Sequence, residues 1–174
     1  MGEKLNTPKI LKKIDLDTWN RKQHFNHFNA LADPYFSVTI PFEVSKAYKR
    51  SKDTKVSFFA IYLHACMKAI NAVENFKYRI IDNEVLEYEV INASATLLRA
   101  DKTFGFSFIN FSEQFDTFNI NIINEKKRTT ITNSLAHSPH FSADLYSSIY
   151  TNPTISDACW SICLKTNSEI SFNN

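Results

Sequence analysis

Glycine is almost missing from this chain: 174 residues contain two, Gly2 and Gly105. A phosphate cradle of the P-loop kind needs several glycines to bring backbone N–H groups against the anion. That chemistry is therefore excluded, together with collagenous and low-complexity classes. Cysteine is scarce too. Cys66, Cys159 and Cys163 form an odd set without CxxC spacing, and the chain opens without an apolar signal segment, which fits a reduced, cytoplasmic setting. No apolar run is long enough to cross a bilayer, and no amphipathic anchor suggests a membrane surface. Asn6 stands where an N-myristoylation motif wants Ser or Thr. Charge of one sign is lacking as well: the formal net charge is +2, with basic residues scattered beside acidic ones, so there is no electrostatic footprint for nucleic acid. The short run Lys126, Lys127, Arg128 reads as a solvated helix end.

What the chain does have is aromatic residues, Phe above all with 15, and a length that suits one domain with a core large enough to fold unaided. Met1 to Leu11 is polar and reads as a loose arm, while Ile14, Leu16 and Trp19 supply the first anchors. Arg21 to Leu31 reads as a short helix with Phe25, Phe28 and Leu31 on one face, ended by Asp33 and Pro34. Phe36 to Val44 alternates apolar and polar residues, as a strand with one buried face does, and Pro41 implies either an edge strand or a local irregularity there. Ser45 caps a short surface helix over Lys46 to Lys52. Ser57 is placed to cap a longer one to about Val73, with a broad stripe of Phe58, Ile61, Tyr62, Ala65, Cys66, Ala69, Ile70 and Val73. Lys77 to Ile91 reads as a hairpin turning at Asp82 and Asn83. Strands follow over Ala93 to Leu98 and Phe104 to Phe111, then a helix over Phe115 to Arg128. Beyond Arg128 periodicity fades, leaving brief apolar fragments such as Leu145 to Tyr150 and Ala158 to Leu164. The order of elements predicts an α/β fold, a two-layer sandwich of a mixed β-sheet with helices on one face.

The stretch Trp19 to Phe28, WNRKQHFNHF, carries a family resemblance. It resembles the N-terminal signature of chloramphenicol acetyltransferases, with Gln23 where the family has Glu. The likeness continues through PYFSVTI (Pro34 to Ile40), VSFFAIYLHACMKAINAVENFKYRIID (Val56 to Asp82), ASATLLRADKTFGFSF (Ala93 to Phe108) and HFSA (His140 to Ala143). The resemblance implies transfer of an acetyl group from acetyl-CoA, as co-substrate with no bound cofactor, to the hydroxyl of a small molecule such as chloramphenicol. It also implies a homotrimer. A histidine acts as general base in that family and a hydroxyl side chain steadies the oxyanion, which demands an imidazole within hydrogen-bond reach of the acceptor and donors already in place.

The second family signature, HHxxxDG, which carries that histidine, is absent here. None of the five histidines, His24, His27, His64, His137 and His140, lies in such a context, so no catalytic residue is assigned and the chain is expected to be catalytically defective. His24 is expected to be a partly buried structural histidine, and His64 to be core or rim. His27, Phe28 and Phe104 match substrate-contacting positions of the family, against the plain alternatives of an exposed histidine and ordinary core aromatics. His24 with His27 is too small a set to support a metal site. Arg21 matches an arginine that pairs with the aspartate of HHxxxDG. Buried without that partner it would cost about 3–5 kcal/mol, so it must either point to solvent or compromise the fold. The expected organisation is a family-like domain over residues 1–143, C-terminally incomplete, and a divergent tail over 144–174 that is frameshifted or disordered. The remaining reading is a noncatalytic pseudoenzyme or fragment that binds or assembles.

Overall fold

A computed structural model of the chain describes residues 9–32, 43–131, 146–151 and 160–163. Two sheets organise it. The smaller has the order β1 (Ile10–Lys13), β3 (Glu84–Tyr88), β2 (Tyr78–Ile81) and is antiparallel throughout. The larger has the order β5 (Phe104–Ile109), β4 (Asn92–Leu98), β6 (Tyr146–Thr151), β7 (Trp160–Cys163). It is mixed, because β4 runs antiparallel to β5 but parallel to β6. Four α-helices accompany them among the described residues: α1 (Lys22–Asn29), α2 (Ser45–Thr54), α3 (Phe58–Ala72) and α4 (Phe115–Ile131). The fold is thus the expected α/β arrangement of a mixed sheet with helices. The second, smaller sheet was not expected.

The turns explain why the strands pair as they do. Asp82 and Asn83 both take positive φ, 51° and 61°, the pair of left-handed residues that a two-residue hairpin loop demands and that Asp and Asn tolerate. At the β4–β5 hairpin Lys102 supplies the positive φ, 67°. There Asp101 accepts from both the backbone N–H and the hydroxyl of Thr103, which holds its carboxyl below the usual range.

The core lies where α3 and α4 meet the sheet: Ala60, Leu63, Met67 and Ile70 from α3, Tyr88, Ile91, Ala93 and Ile109 from the strands and the link before β4, and Phe118 and Ile122 from α4. Ala93 faces Ile109 and Ala95 faces Ser107 in register, so these buried residues share one face of the β4–β5 pair, while the buried pair Ser94 and Phe108 lies on the other. By alternation Phe104 and Phe106 stand on the same face as Phe108. Asn71 closes the core from α3 by bonding both backbone groups of Ile91, donating to its carbonyl at 2.9 Å and accepting its N–H at 2.7 Å.

Four expectations need correction. Ile10 and Leu11, the end of the expected loose arm, belong to a strand, Ile10–Lys13, paired with β3. The buried face of α3 is Ala60, Leu63, His64, Met67 and Ile70, whereas Ala65, Ala69 and Val73 of the expected stripe are exposed. The helix is apolar almost all round, and periodicity alone cannot choose its buried side. Phe28 and Leu31 do not pack inward from α1, being 51% and 44% exposed. Arg128 is not solvated, since only 16% of its side chain is exposed. Strands β6 and β7 lie on the fragments Leu145 to Tyr150 and Ala158 to Leu164. The strand expected over Phe36 to Val44 falls almost wholly outside the described residues, as do His137, His140 and the HFSA segment.

Candidate functional site

The signature region is built by local hydrogen bonds before any long-range contact. Asp15 accepts from the N–H of Asp17 and the hydroxyl of Thr18, which turns the chain into Trp19. The Trp19 carbonyl then accepts from Lys22 N–H at 3.0 Å, and the Arg21 carbonyl takes the first helical bond, from Phe25 N–H, at 2.9 Å. Lys22 holds Asp17 at 2.6 Å and keeps its carboxyl below the usual range. Trp19 anchors the whole turn: its ring lies 6.3 Å from Phe25 and 6.0 Å, edge-on, from Tyr78 of β2. At the far end of α1, Asn29 donates to Asn83 of the β2–β3 turn at 3.0 Å. The helix contains no buried residue, so these contacts at its two ends carry much of its attachment.

On that helix His27 and Phe28 are neighbours in space, ring centroids 5.2 Å apart and edge-on, and both side chains are exposed. Phe104 opens β5, 47% exposed, with its ring edge-on to Phe106 at 5.7 Å. Neither Phe28 nor Phe104 is an ordinary core aromatic. No described contact joins the His27–Phe28 pair to the Phe104–Phe106 pair. Arg21 is exposed and forms no ion pair among the described residues, so the cost of an unpartnered buried guanidinium does not arise.

His24 also lies in solvent rather than partly buried. His64 is core, as expected: 9% exposed, its Nε2 is 2.9 Å from the Ser112 carbonyl, and its ring sits among Phe111, Phe115 and Phe118. That engagement leaves it badly placed to take a proton from a substrate hydroxyl. Burial pushes the Cys66 thiol up, the opposite of what a nucleophilic cysteine needs. Among the described residues no three His, Cys, Asp or Glu side chains cluster so as to hold a metal, and no helix is long and apolar enough to cross a membrane.

The family model for chloramphenicol acetyltransferase matches residues 10–171. The chain belongs to the chloramphenicol acetyltransferase family. Among curated relatives it is 22% identical over 138 residues to the chloramphenicol acetyltransferase of Bacillus pumilus, covering 79% of this chain and 62% of that one. It is 26% identical over 105 residues to that of Klebsiella sp, covering 60% and 47%. With chloramphenicol acetyltransferase 3 of Escherichia coli the figures are 21% over 117 residues, 67% and 55%. The chain thus spans about half to three fifths of the length of these relatives. A solved chloramphenicol acetyltransferase structure superposes with a TM-score of 0.70 at 20% identity, covering 90% of this chain and 87% of that one, which establishes the shared fold. The family match runs past Ala143, where the likeness readable by eye stops.

Two arrangements were not visible in the sequence. Asn71 reads as one more polar residue near a helix end, and nothing local signals its bonds to Ile91. Glu125, half-buried, accepts the N–H of Phe108 at 2.8 Å while holding Arg128. The only hint was a Glu three residues before an Arg, a spacing that puts both on one helix face.

Proposed function

We propose that this chain is an acyltransferase-family protein that keeps the acyl-acceptor side of the site, lacks the general base, and does not by itself transfer acetyl from acetyl-CoA to chloramphenicol or a similar hydroxyl compound. Family membership over residues 10–171 without an HHxxxDG sequence carries this reading. His27, Phe28 and Phe104 are the acceptor-contacting positions. Exposed aromatic rings beside an exposed imidazole suit a flat, partly apolar acceptor better than a charged one. Arg21, exposed and unpaired among the described residues, agrees with a chain in which the aspartate partner is missing. Assembly as a homotrimer belongs to the same proposal, as does the division into a family-like domain over 1–143 and a divergent tail over 144–174.

The deciding measurement is thiol release from acetyl-CoA in the presence of chloramphenicol. No release above the uncatalysed rate is expected, and sustained turnover by the purified chain would sink the proposal. Gel filtration of the same sample tests the trimer. An HHxxxDG coding sequence in another reading frame after codon 143 would attribute the tail to a frameshift, and its absence would count against one.

A further inference from the structure

Among the described residues β5 ends the larger sheet, with β4 on one side. In an antiparallel strand the N–H and C=O of one residue point to the same side, and successive residues point to opposite sides. The carbonyl of Phe106 accepts from Arg128 Nη2 at 2.7 Å and the N–H of Phe108 donates to Glu125 Oε2 at 2.8 Å. Those groups therefore face away from β4, and Gly105, Ser107 and Ile109 face toward it. The two side chains are locked to each other: Arg128 Nε lies 3.0 and 3.1 Å from the two carboxylate oxygens of Glu125, and its Nη2 lies 2.9 Å from Oε2. They are 16% and 17% exposed, and the guanidinium sits 5.7 Å from the Phe108 ring.

An edge strand with free outward N–H and C=O groups is a template for another strand. β5 would be a strong one: FGFSFI has no charge and no proline, and its exposed Phe104 and Phe106 add apolar surface beside the edge. We propose that Glu125 and Arg128 form an edge guard, occupying the outward carbonyl of Phe106 and N–H of Phe108 so that β5 cannot pair with β5 of a second copy of this chain. An acceptor and a donor are taken two residues apart, so an incoming strand loses bonds at both positions and meets a bulky ion pair there. The inference does not depend on the enzymatic reading.

Glu125→Ala tests it by hydrogen exchange and sedimentation velocity on the full chain. Exchange at the Phe108 amide is expected to rise about tenfold or more, as befits loss of a charge-assisted bond. The Ser107 amide, bonded toward β4, stays protected, and the variant associates beyond the parent chain's own oligomer at concentrations where the parent chain does not. In the associated material the Phe108 amide becomes protected again, because it now pairs with another copy. A freed Phe108 amide with unchanged association overturns the proposal, and so does association that leaves that amide exposed. If Glu125→Ala loses protection at Ser107 as well, Arg128→Lys decides by the same readouts. Lysine keeps the charge but cannot hold both carboxylate oxygens and the Phe106 carbonyl together, so it should associate at concentrations between those of the parent chain and a fully unguarded edge. Association no different from the parent chain refutes the guard.

Discussion

Replacing Asn71 by alanine should destabilise the fold far more than a half-buried polar residue near a helix end ordinarily would. The side chain makes three hydrogen bonds, two of them to Ile91 and one to the Met67 carbonyl. The Met67 bond matters least, since that carbonyl lies inside the α3 ladder and keeps its helical partner. Ile91 is different. It sits in the link between β3 and β4, outside either strand, and is 0% exposed. Without Asn71 its N–H and C=O are left in the core with no route to water. Each unsatisfied group costs about 1–3 kcal/mol, so the expected loss from the two is roughly 2–6 kcal/mol. Against a total stability of about 5–15 kcal/mol the variant should still fold, with a much lower urea midpoint and an unchanged slope.

Asn71→Asp sharpens the test. The carboxylate can still accept from Ile91 N–H, but it cannot donate to the Ile91 or Met67 carbonyls and is repelled by them. Its ionised form is disfavoured in the folded state, which raises the folded pKa above the unfolded value. The destabilisation should then be full near neutral pH and shrink as pH falls through the folded pKa toward the unfolded value of about 3.9. Asn71→Ala should show no such recovery relative to the parent chain. A loss below about 0.5 kcal/mol for the alanine variant, within the range of neutral surface changes, would mean that Ile91 finds other partners and would refute the reasoning.

Two other substitutions probe local devices. Asn83→Val forces a β-branched residue into a φ of 61° and should cost about 1–2 kcal/mol in thermal or urea unfolding. Asn83→Gly suits the turn but removes the clasp on Asn29, so amide exchange should accelerate across Lys22–Asn29 while β2 and β3 keep their protection; equal exchange in α1 would show that the clasp is idle. For Cys66, a thiol pushed up by burial should alkylate more slowly at neutral pH in the folded chain than in urea, read by mass at that residue. Equal rates in the two states would contradict its burial.

What could be read from the chain beforehand was what depends on neighbours in sequence. Asp82 and Asn83 announce their turn because few residues tolerate two successive left-handed conformations. The strands flanking them, those at Ala93 to Leu98 and Phe104 onward, and the helix from Phe115 followed from period and turn chemistry. Choices that depend on distant partners were not legible. Ile10–Lys13 becomes a strand only because β3 offers it an edge, and its own residues, two apolar and two lysines, do not announce it. The face of α3 is chosen by the sheet and α4, since a helix apolar nearly all round offers no polar side to turn outward. Arg128 shows the same limit from the opposite direction. In a run of three basic residues at a helix end, solvent is the default, yet a carboxylate one turn earlier and a carbonyl on β5 draw this one in.

The site divides along the same line. His27 and Phe28 are adjacent in sequence, and their rings meet because α1 presents consecutive residues at its exposed surface. Any relation between them and Phe104 depends on how α1, clasped at Trp19 and Asn29, sits against a strand that lies far along the chain. Composition cannot specify that relation, which was expected only from the resemblance. The lack of an HHxxxDG sequence is the reverse case. It is read from residue order without any coordinates, and the described histidines are accounted for by the fold: His24 and His27 are exposed on the signature helix, and His64 is committed to Ser112 and three phenylalanines. Among the described residues the exposed imidazoles therefore sit on α1 while the buried one is held by Ser112, a division set by packing and not by residue order.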